Sequence, residues 1–219
     1  MNKVCAAAVF SLVSGMALAG PSSTTVTFSK GYEGWVPPTG TAGGSYISST
    51  PGSKHGEALY TANPDTFGLE WSNRENPAFI GNFGAVKSVT IGLDINVKSI
   101  TFRGREVERE LVVELRDYDN PYNGMPYTAV WAKLGTISHK GSWQRLQVTI
   151  PDTRATTMPA GWGGTGSGGL SLPPGRTFAD VLAGVDEIAF TTYVPGWFYG
   201  FTNYELAVDN VSIAVSGSR

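Results

Sequence analysis

The sequence predicts an all-β protein, a two-sheet antiparallel sandwich with one short helix. Short segments of alternating polar and apolar residues recur along the chain, and this period of two is typical of half-buried strands. The 28 glycines and 13 prolines separate those segments as turn residues. The pattern continues over about 200 residues without a repeat or a linker, which fits one domain of ordinary size.

Roughly ten segments have the alternation or the apolar content of strands. The clearest spans residues 86–97, and its core-facing positions are Val89, Ile91, Leu93, Ile95 and Val97. Residues 100–102 are expected to continue it after a bend. The other predicted strands are 25–28, 58–60, 67–71, 111–115, 128–132, 143–150, 187–193 and 205–215. This number of strands is enough for two stacked sheets.

The predicted helix covers residues 178–183, just before the last two strands. Thr177 is a favourable N-cap because its hydroxyl can accept a hydrogen bond from the first turn, and Gly184 ends the helix. Glycine and proline accumulate at 31–44 and 152–176, so we expect long irregular connections there.

The first nineteen residues have the three-part pattern of a secretory signal peptide. Lys3 provides the basic start, residues 4–16 are almost wholly apolar, and Ala17 and Ala19 form a small-x-small cleavage site. The apolar run is too short to span a bilayer. We therefore predict a signal peptide over residues 1–19, cleavage after Ala19 and a single β-sandwich domain over 20–219.

Composition narrows the possible partners. Cleavage removes one positive charge, so a net charge of −2 becomes −3, and the mature chain has no basic excess for nucleic acid. The sole cysteine, Cys5, leaves with the leader, which excludes disulfides in the mature protein. No second apolar segment follows, so we expect no membrane span and a secreted or periplasmic location.

Three motifs carry a resemblance to a known family. They are Gly-Tyr-Glu-Gly-Trp at 31–35, Phe-x-x-Val-Leu-x-x-Val at 178–185 and Leu-x-x-Asp-Asn-Val-x-Ile at 206–213. In this order they resemble the jelly-roll superfamily of galactose-binding-like domains, especially the laminin domain IV type of exported bacterial proteins. The resemblance implies a jelly roll with a helix before its last two strands, and a carbohydrate-binding or adhesive role.

The resemblance also implies one structural calcium ion, which many jelly-roll binding modules hold between the N-terminal loop and the last strand. The matching carboxylates are Glu33 and Asp209. Alternation places Asp209 on the face of its apolar neighbours, where a carboxylate needs a cation or hydrogen-bond donors. The alternative is that Asp209 accepts backbone N–H bonds and Glu33 is solvated. We interpret the acidic loop at 117–124 as a turn, because Pro121 takes a ligand position.

Aromatic residues in the predicted loops are candidates for ligand contact. Exposed rings stack on the apolar C–H faces of sugars, while nearby polar side chains bind the hydroxyls. The candidates are Trp162, Trp197, Tyr199, Tyr118 and Tyr122. The alternative for each residue is that its ring packs beneath a long loop, the commoner environment of aromatic side chains.

A catalytic alternative rests on Glu106, Glu108 and Glu110. If the three glutamates lie on one strand, successive ones are about 6.6 Å apart along it. This arrangement is similar to the Glu-x-Asp-x-Glu strand of jelly-roll β-glucanases. Carboxylates among arginines are also typical of a salt-bridged sheet edge. We therefore predict an exported, non-enzymatic module that binds a carbohydrate or another surface polymer. The alternatives are a glycan hydrolase or lyase using these glutamates, and a structural or adhesive secreted protein.

Overall fold

The protein folds into two antiparallel sheets. The structure, a computed structural model, describes residues 21–40, 42–49 and 56–218. The predicted signal peptide and its cleavage site lie outside these ranges. In chain order the strands are β1 (Ser22–Val26), β2 (Trp35–Val36), β3 (Gly44–Ser49), β4 (Glu57–Thr66), β5 (Glu70–Asn73), β6 (Val86–Phe102), β7 (Arg105–Glu106), β8 (Arg109–Asp117), β9 (Thr128–Ile137), β10 (Gln144–Ile150), β11 (Trp162–Gly164), β12 (Glu187–Thr191) and β13 (Thr202–Ser218).

The larger sheet contains seven strands. Its order is β10-β6-β13-β4-β3, with β1 beside β13 and β7 beside β6. The two long strands β6 and β13 pair along most of their length, from Thr101 opposite Asn203 to Val89 opposite Val215. The predicted continuation of the 86–97 strand through residues 100–102 is therefore confirmed.

The second sheet contains six strands in the order β11-β9-β8-β12-β5-β2. Strand β8 lies near its centre, between β9 and β12, and all neighbours in this sheet run antiparallel. The side chains of β8 alternate between the core and the outer face, because successive residues of a strand point to opposite sides. This alternation decides which of its polar residues are available to a site.

The hydrophobic core fills the space between the two sheets. The larger sheet contributes alternate residues of its central strands, and the smaller sheet contributes aromatic and branched side chains from β5, β8 and β12. The main core residues are Val89, Ile91, Leu93, Ile95, Leu206, Val208, Trp71, Leu111, Val113, Leu115, Ile188 and Phe190. Interdigitated inner faces of this kind make a sandwich of two sheets stable.

The helix α1 (Phe178–Leu182) lies where the sequence predicts it. The Thr177 hydroxyl accepts a hydrogen bond from the Asp180 N–H, and the Asp180 carboxylate accepts one from the Thr177 N–H. This capping box satisfies two donors of the first turn. No helix among the described residues is long and apolar enough to cross a membrane.

Candidate functional site

A groove lies on the outer face of the six-stranded sheet. Residues Leu111, Val113 and Leu115 of β8 point into the core. Residues that alternate with them point outward, so Glu114 and Arg116 lie on the opposite face of the sheet. Glu70 of β5 and Glu187 of β12 stand beside them, as their hydrogen bonds to Arg116 show. The floor of the groove is thus polar, although the strands that form it are core strands.

Three loops wall this floor and divide the groove into two cavities. The first, of about 450 Å³, lies between the loops at 118–127, 165–170 and 193–201 and contacts Glu70, Glu114, Arg116, Met125, Tyr127 and Tyr193. The second, of about 400 Å³, contacts Glu110, Leu170, Trp197 and Tyr199. Both cavities contact the backbone segment 194–196, so they lie next to each other.

Hydrogen bonds hold the walls in place. In the first loop, Tyr122 and Met125 exchange two backbone hydrogen bonds of 3.2 and 3.0 Å across Asn123 and Gly124. Both of these residues have positive φ angles, 52° and 81°, as a tight type I′ turn requires. The second loop is fixed to β9, where the Trp131 indole N–H donates to the Gly169 carbonyl at 2.7 Å. A groove with such walls is pre-formed.

Arg116 is the centre of a buried charge network on the floor. Its guanidinium makes five nitrogen–oxygen contacts of 2.6–3.2 Å with the carboxylates of Glu70, Glu114 and Glu187. A guanidinium has five N–H donors. Four of the five contacts are hydrogen bonds, so the carboxylates use most of its hydrogen-bonding capacity. Their remaining lone pairs are what the network can offer to a ligand.

Two tyrosines and a second arginine extend the network. The Tyr118 hydroxyl donates to Glu187 at 2.7 Å, and Arg74 donates to the same carboxylate at 3.2 Å. The Arg74 guanidinium lies 4.0 Å from the centre of the Tyr118 ring, and that of Arg116 lies 4.8 Å from the centre of the Tyr127 ring. Cation–π contacts of this kind hold the rings in fixed orientations.

The environment of each acid sets its protonation. Burial raises the pKa of Glu114 above its usual range, and the charge of Arg116 offsets only part of this effect. Burial also acts against the charge of Glu187, but hydrogen bonds from Arg74 and Tyr118 bring its pKa below the usual range. Burial raises the pKa of Tyr127 to about 12, so this phenol is a neutral donor and acceptor at physiological pH.

The five predicted aromatic contacts separate into different environments. Trp197 and Tyr199 line the second cavity, whereas Tyr118 serves the charge network and Tyr122 shapes the turn of the first loop. The prediction of an exposed ring at Trp162 is wrong. Its side chain is 9% exposed, belongs to the core and packs edge-on against Phe178 at 5.2 Å. The predicted irregular connection at 152–176 contains the short strand β11, in which Trp162 pairs with Ala132 of β9.

The structure corrects the orientation expected for Asp209. Asp209 pairs with Asp94. A β-bulge follows: the register shifts between Asp209 and Ser212, and the φ angle of Asn210 is 49°. The bulge reverses the alternation. Directly paired residues point to the same side, so Asp209 shares the outer face with Asp94. It is nevertheless fully buried and accepts a 2.7 Å hydrogen bond from the Asn210 backbone N–H.

Glu33 has a fixed backbone near β5. Its φ is 47°, and its carbonyl accepts hydrogen bonds from the side-chain amides of Asn73 and Asn76. Carboxylates suit the hard calcium ion, so Glu33 and Asp209 have the right ligand chemistry. Asp209 lies on β13 of the larger sheet, whereas Glu33 lies beside β5 of the smaller one. Calcium binding by this pair stays a prediction.

Within the described residues, one trio of acidic side chains has its ligand atoms within 4.8 Å of one another: Asp117, Asp119 and Asp186. Asp117 accepts hydrogen bonds from the Asp119 N–H and from the Asn120 side chain, and it also pairs with Arg176. Asp186 accepts a hydrogen bond from the Tyr118 N–H at 2.8 Å. Side chains bonded to their own loop are what the turn interpretation of residues 117–124 predicts.

The single strand that the catalytic alternative requires is not formed. Glu106 belongs to β7 in the larger sheet, Glu110 belongs to β8 in the smaller sheet, and Glu108 lies in the crossing between them. Glu110 pairs with Lys133 at 2.5 Å. The three carboxylates therefore do not share one strand face. The physical reason is the sheet change at residues 107–108, which alternation alone does not reveal.

The groove residues Glu70, Glu114, Arg116, Glu187, Tyr127 and Tyr193 are not among the sequence candidates. One signal for two of them is present in the sequence. Glu114 and Arg116 alternate with the apolar Val113 and Leu115, which marks the polar face of a half-buried strand. The contributions of β5 and β12 depend on strand order, and no local pattern shows it.

Comparisons with known proteins show which solved structures have a similar fold. Neither a protein-family model nor a curated protein matches the chain. Among solved structures, it is similar to the CBM22-1 xylan-binding domain from Paenibacillus barcinonensis Xyn10C, at 11% identity and a TM-score of 0.51. That match covers 93% of this chain and all of the other.

Two longer proteins give comparable matches. One is the CBM22-1 and GH10 modules of Clostridium thermocellum endo-1,4-β-D-xylanase 10B complexed with xylohexaose, at 11% identity, a TM-score of 0.51 and 89% coverage of this chain. The other is an exo-β-agarase, at 10% identity, a TM-score of 0.53 and 90% coverage. The chain spans only 28% and 26% of these proteins. At such identities the likeness shows the fold alone, and that fold is a jelly-roll sandwich.

Proposed function

We propose that the protein binds a glycan in the groove on its six-stranded sheet and has no catalytic role of its own. The observation that carries this proposal is the groove itself, in which aromatic rings and carboxylates face one pre-formed depression. A ligand pocket is expected to be concave, largely apolar and equipped with a few oriented polar groups. The jelly-roll fold supports the same conclusion by analogy.

Each class of lining residue has a role in this proposal. Tyr193, 46% exposed, and Tyr127 offer ring faces for the apolar C–H faces of a sugar. Glu70, whose side chain is 34% exposed, accepts hydrogen bonds from sugar hydroxyls. Arg116 is a positioning residue because its guanidinium is buried and bound by three carboxylates. It holds Glu70 and Glu114 in one orientation, which lowers the entropic cost of binding.

The charge balance of the network favours an uncharged ligand. Three carboxylates, Glu70, Glu114 and Glu187, face the two guanidinium groups of Arg74 and Arg116. No cation of this network is left in excess, so a polyanionic chain would bring unpaired negative charge to the floor. We therefore propose a neutral polysaccharide, met outside the cytoplasm after export by the predicted signal peptide.

The proposal is tested with affinity electrophoresis on a panel of neutral and anionic polysaccharides. We expect retardation by at least one neutral polymer and its loss in Tyr193→Ala. The matched control is Tyr46→Ala, because Tyr46 is similarly exposed at 54% but lies on β3 in the other sheet. Equal migration of the wild type with and without every polymer would refute the proposal, and a structural or adhesive role would then be the better interpretation.

A further inference from the structure

A cluster of exposed phenylalanines lies outside the groove. Phe67, Phe198 and Phe201, here named the aromatic platform, are 42%, 69% and 52% exposed. The Phe67 and Phe201 rings stack with their centres 4.1 Å apart at 29°, and Phe67 and Phe198 are 5.0 Å apart. Single exposed apolar residues are common on protein surfaces, whereas a contiguous group usually marks an interaction site.

The backbone fixes the position of the platform. Two glycines with positive φ angles, Gly196 at 80° and Gly200 at 77°, bend the loop that carries Phe198 and Phe201. A Cβ atom on Gly200 would lie 3.2 Å from the Phe102 ring, so this loop packs closely on the end of β6. The Trp197 N–H donates to the Val194 carbonyl at 2.9 Å. The platform is therefore a formed surface.

The platform adjoins both cavities of the groove. Gly68 follows Phe67, and a Cβ atom there would lie 2.8 Å from the Tyr193 ring, which lines the first cavity. On the other side, Trp197 precedes Phe198 and lines the second cavity. Ten large hydrophobic side chains are exposed in the described part of the chain. Seven of them belong to the platform or line the cavities: Phe67, Phe198, Phe201, Met125, Leu170, Tyr193 and Trp197.

We propose that the aromatic platform is a second contact surface for the glycan in the groove, where sugar units beyond the groove stack on the phenylalanine rings. This inference rests on the proposed function and extends it: the ligand is a chain of neutral pyranose units long enough to cross both surfaces. Continuity with the groove identifies the occupant. Phenylalanine has no hydrogen-bonding group, so the platform recognises the apolar faces of the sugar rings and not their hydroxyls.

The test compares ligand length in the wild type and in the double variant Phe198→Ser with Phe201→Ser. Both rings are more than half exposed, so we expect the variant to fold. Calorimetry would measure the affinity for a trisaccharide and for a hexasaccharide of β-1,4-linked xylose, with a β-linked gluco-oligosaccharide pair as a second series. Tyr46→Ser is the matched control, and circular dichroism would verify folding.

The wild type should bind the longer chain at least about tenfold more tightly, which corresponds to about 1.4 kcal/mol. The double variant should keep the affinity for the trisaccharide and lose the gain with length. A variant that retains the gain overturns the platform while leaving the groove proposal intact. If the wild type binds neither length in either series, the platform inference fails, whereas the groove proposal is decided by the polysaccharide panel. The variant could instead lose self-association or vesicle binding and keep its affinity for both oligosaccharides. That result would assign the platform to a protein or a membrane and overturn the inference.

Discussion

The guanidinium of Arg116 and the carboxylate of Glu70 form a bidentate pair, with nitrogen–oxygen distances of 3.1 and 2.6 Å. The two residues come from different strands, β8 and β5, with β12 between them in the sheet. The Arg116 side chain is 7% exposed. Parallel N–H···O bonds fix both planes, so this pair links the floor of the groove across three strands and orients the carboxylates on it.

Loss of the central cation should be costly. Arg116→Met leaves Glu70 and Glu114 buried or half-buried without their partner, and breaking such a pair typically costs about 3–5 kcal/mol. Denaturant unfolding would measure this loss. Glu114→Gln is the matched control, because Arg116 keeps Glu70 and Glu187. We expect its free energy of unfolding at pH 7 to stay within about 1 kcal/mol of the wild type. An equal loss in both variants would contradict the central role of Arg116.

The raised pKa of Glu114 predicts a pH-dependent stability. Its main cause is burial, so the folded protein keeps a proton on Glu114 at pH values where the unfolded chain has released it. Linkage then requires that its contribution is fully present below the unfolded pKa of about 4.3 and is lost as pH rises through the folded pKa. The stability of Glu114→Gln relative to the wild type should therefore increase with pH above about 4.3.

Urea unfolding of both proteins from pH 4 to pH 8 would measure this difference. Glu187 contributes in the opposite direction, because its lowered pKa stabilises the fold above its unfolded pKa and this stabilisation is lost as pH falls. Subtracting the two proteins removes the Glu187 term that they share. A difference that is constant with pH would show that Glu114 has no raised pKa.

The two candidate tryptophans should respond in opposite ways to truncation. Trp162→Ala removes a core ring that packs on Phe178 and should lower the free energy of unfolding by about 3–5 kcal/mol. Trp197 is 66% exposed, so Trp197→Ala should change it by no more than about 0.5 kcal/mol while weakening glycan binding. Thermal melts and polysaccharide retention measure the two effects. A stable Trp162→Ala protein would contradict the core assignment.

Calcium binding by Glu33 and Asp209 predicts a stability that depends on the metal. A ligand that binds only the folded state raises stability with its free concentration, so EGTA should lower the melting temperature and added calcium should restore it. Asp209→Asn should abolish this response. Glu57→Gln serves as an unrelated carboxylate control. Identical melts with EGTA and with calcium would remove the calcium proposal for this pair.

The long, strongly patterned elements of the fold could be predicted from the sequence. Residues 86–97 form most of β6 because every second residue from Val89 to Val97 is apolar. Thr177 caps α1 through its own side chain, so both signals are local. The sequence does not predict strand β3 (Gly44–Ser49), because four of its six residues are glycine or serine and its alternation is weak. Its pairing with β4 supplies the backbone hydrogen bonds that its side chains do not indicate.

The candidate site was harder to predict, and the errors have physical causes. Alternation placed Asp209 with its apolar neighbours, but a single bulged residue, Asn210, reverses the face of everything beyond it. The regular spacing of Glu106 and Glu110 hides a change of sheet. Trp162 stands in a glycine-rich segment typical of a loop, yet the segment pairs with β9 and turns the ring inward.

The sequence by itself determined the all-β class, the two-sheet sandwich and the capped helix, because periodicity, turn residues and capping act over a few neighbouring positions. Only the tertiary structure decided where the groove lies. Its floor joins Glu70, Arg116 and Glu187, which are far apart in the chain and meet because β5, β12 and β8 are neighbours in one sheet. Strand order depends on how the whole core packs, so it cannot be predicted from a local sequence pattern.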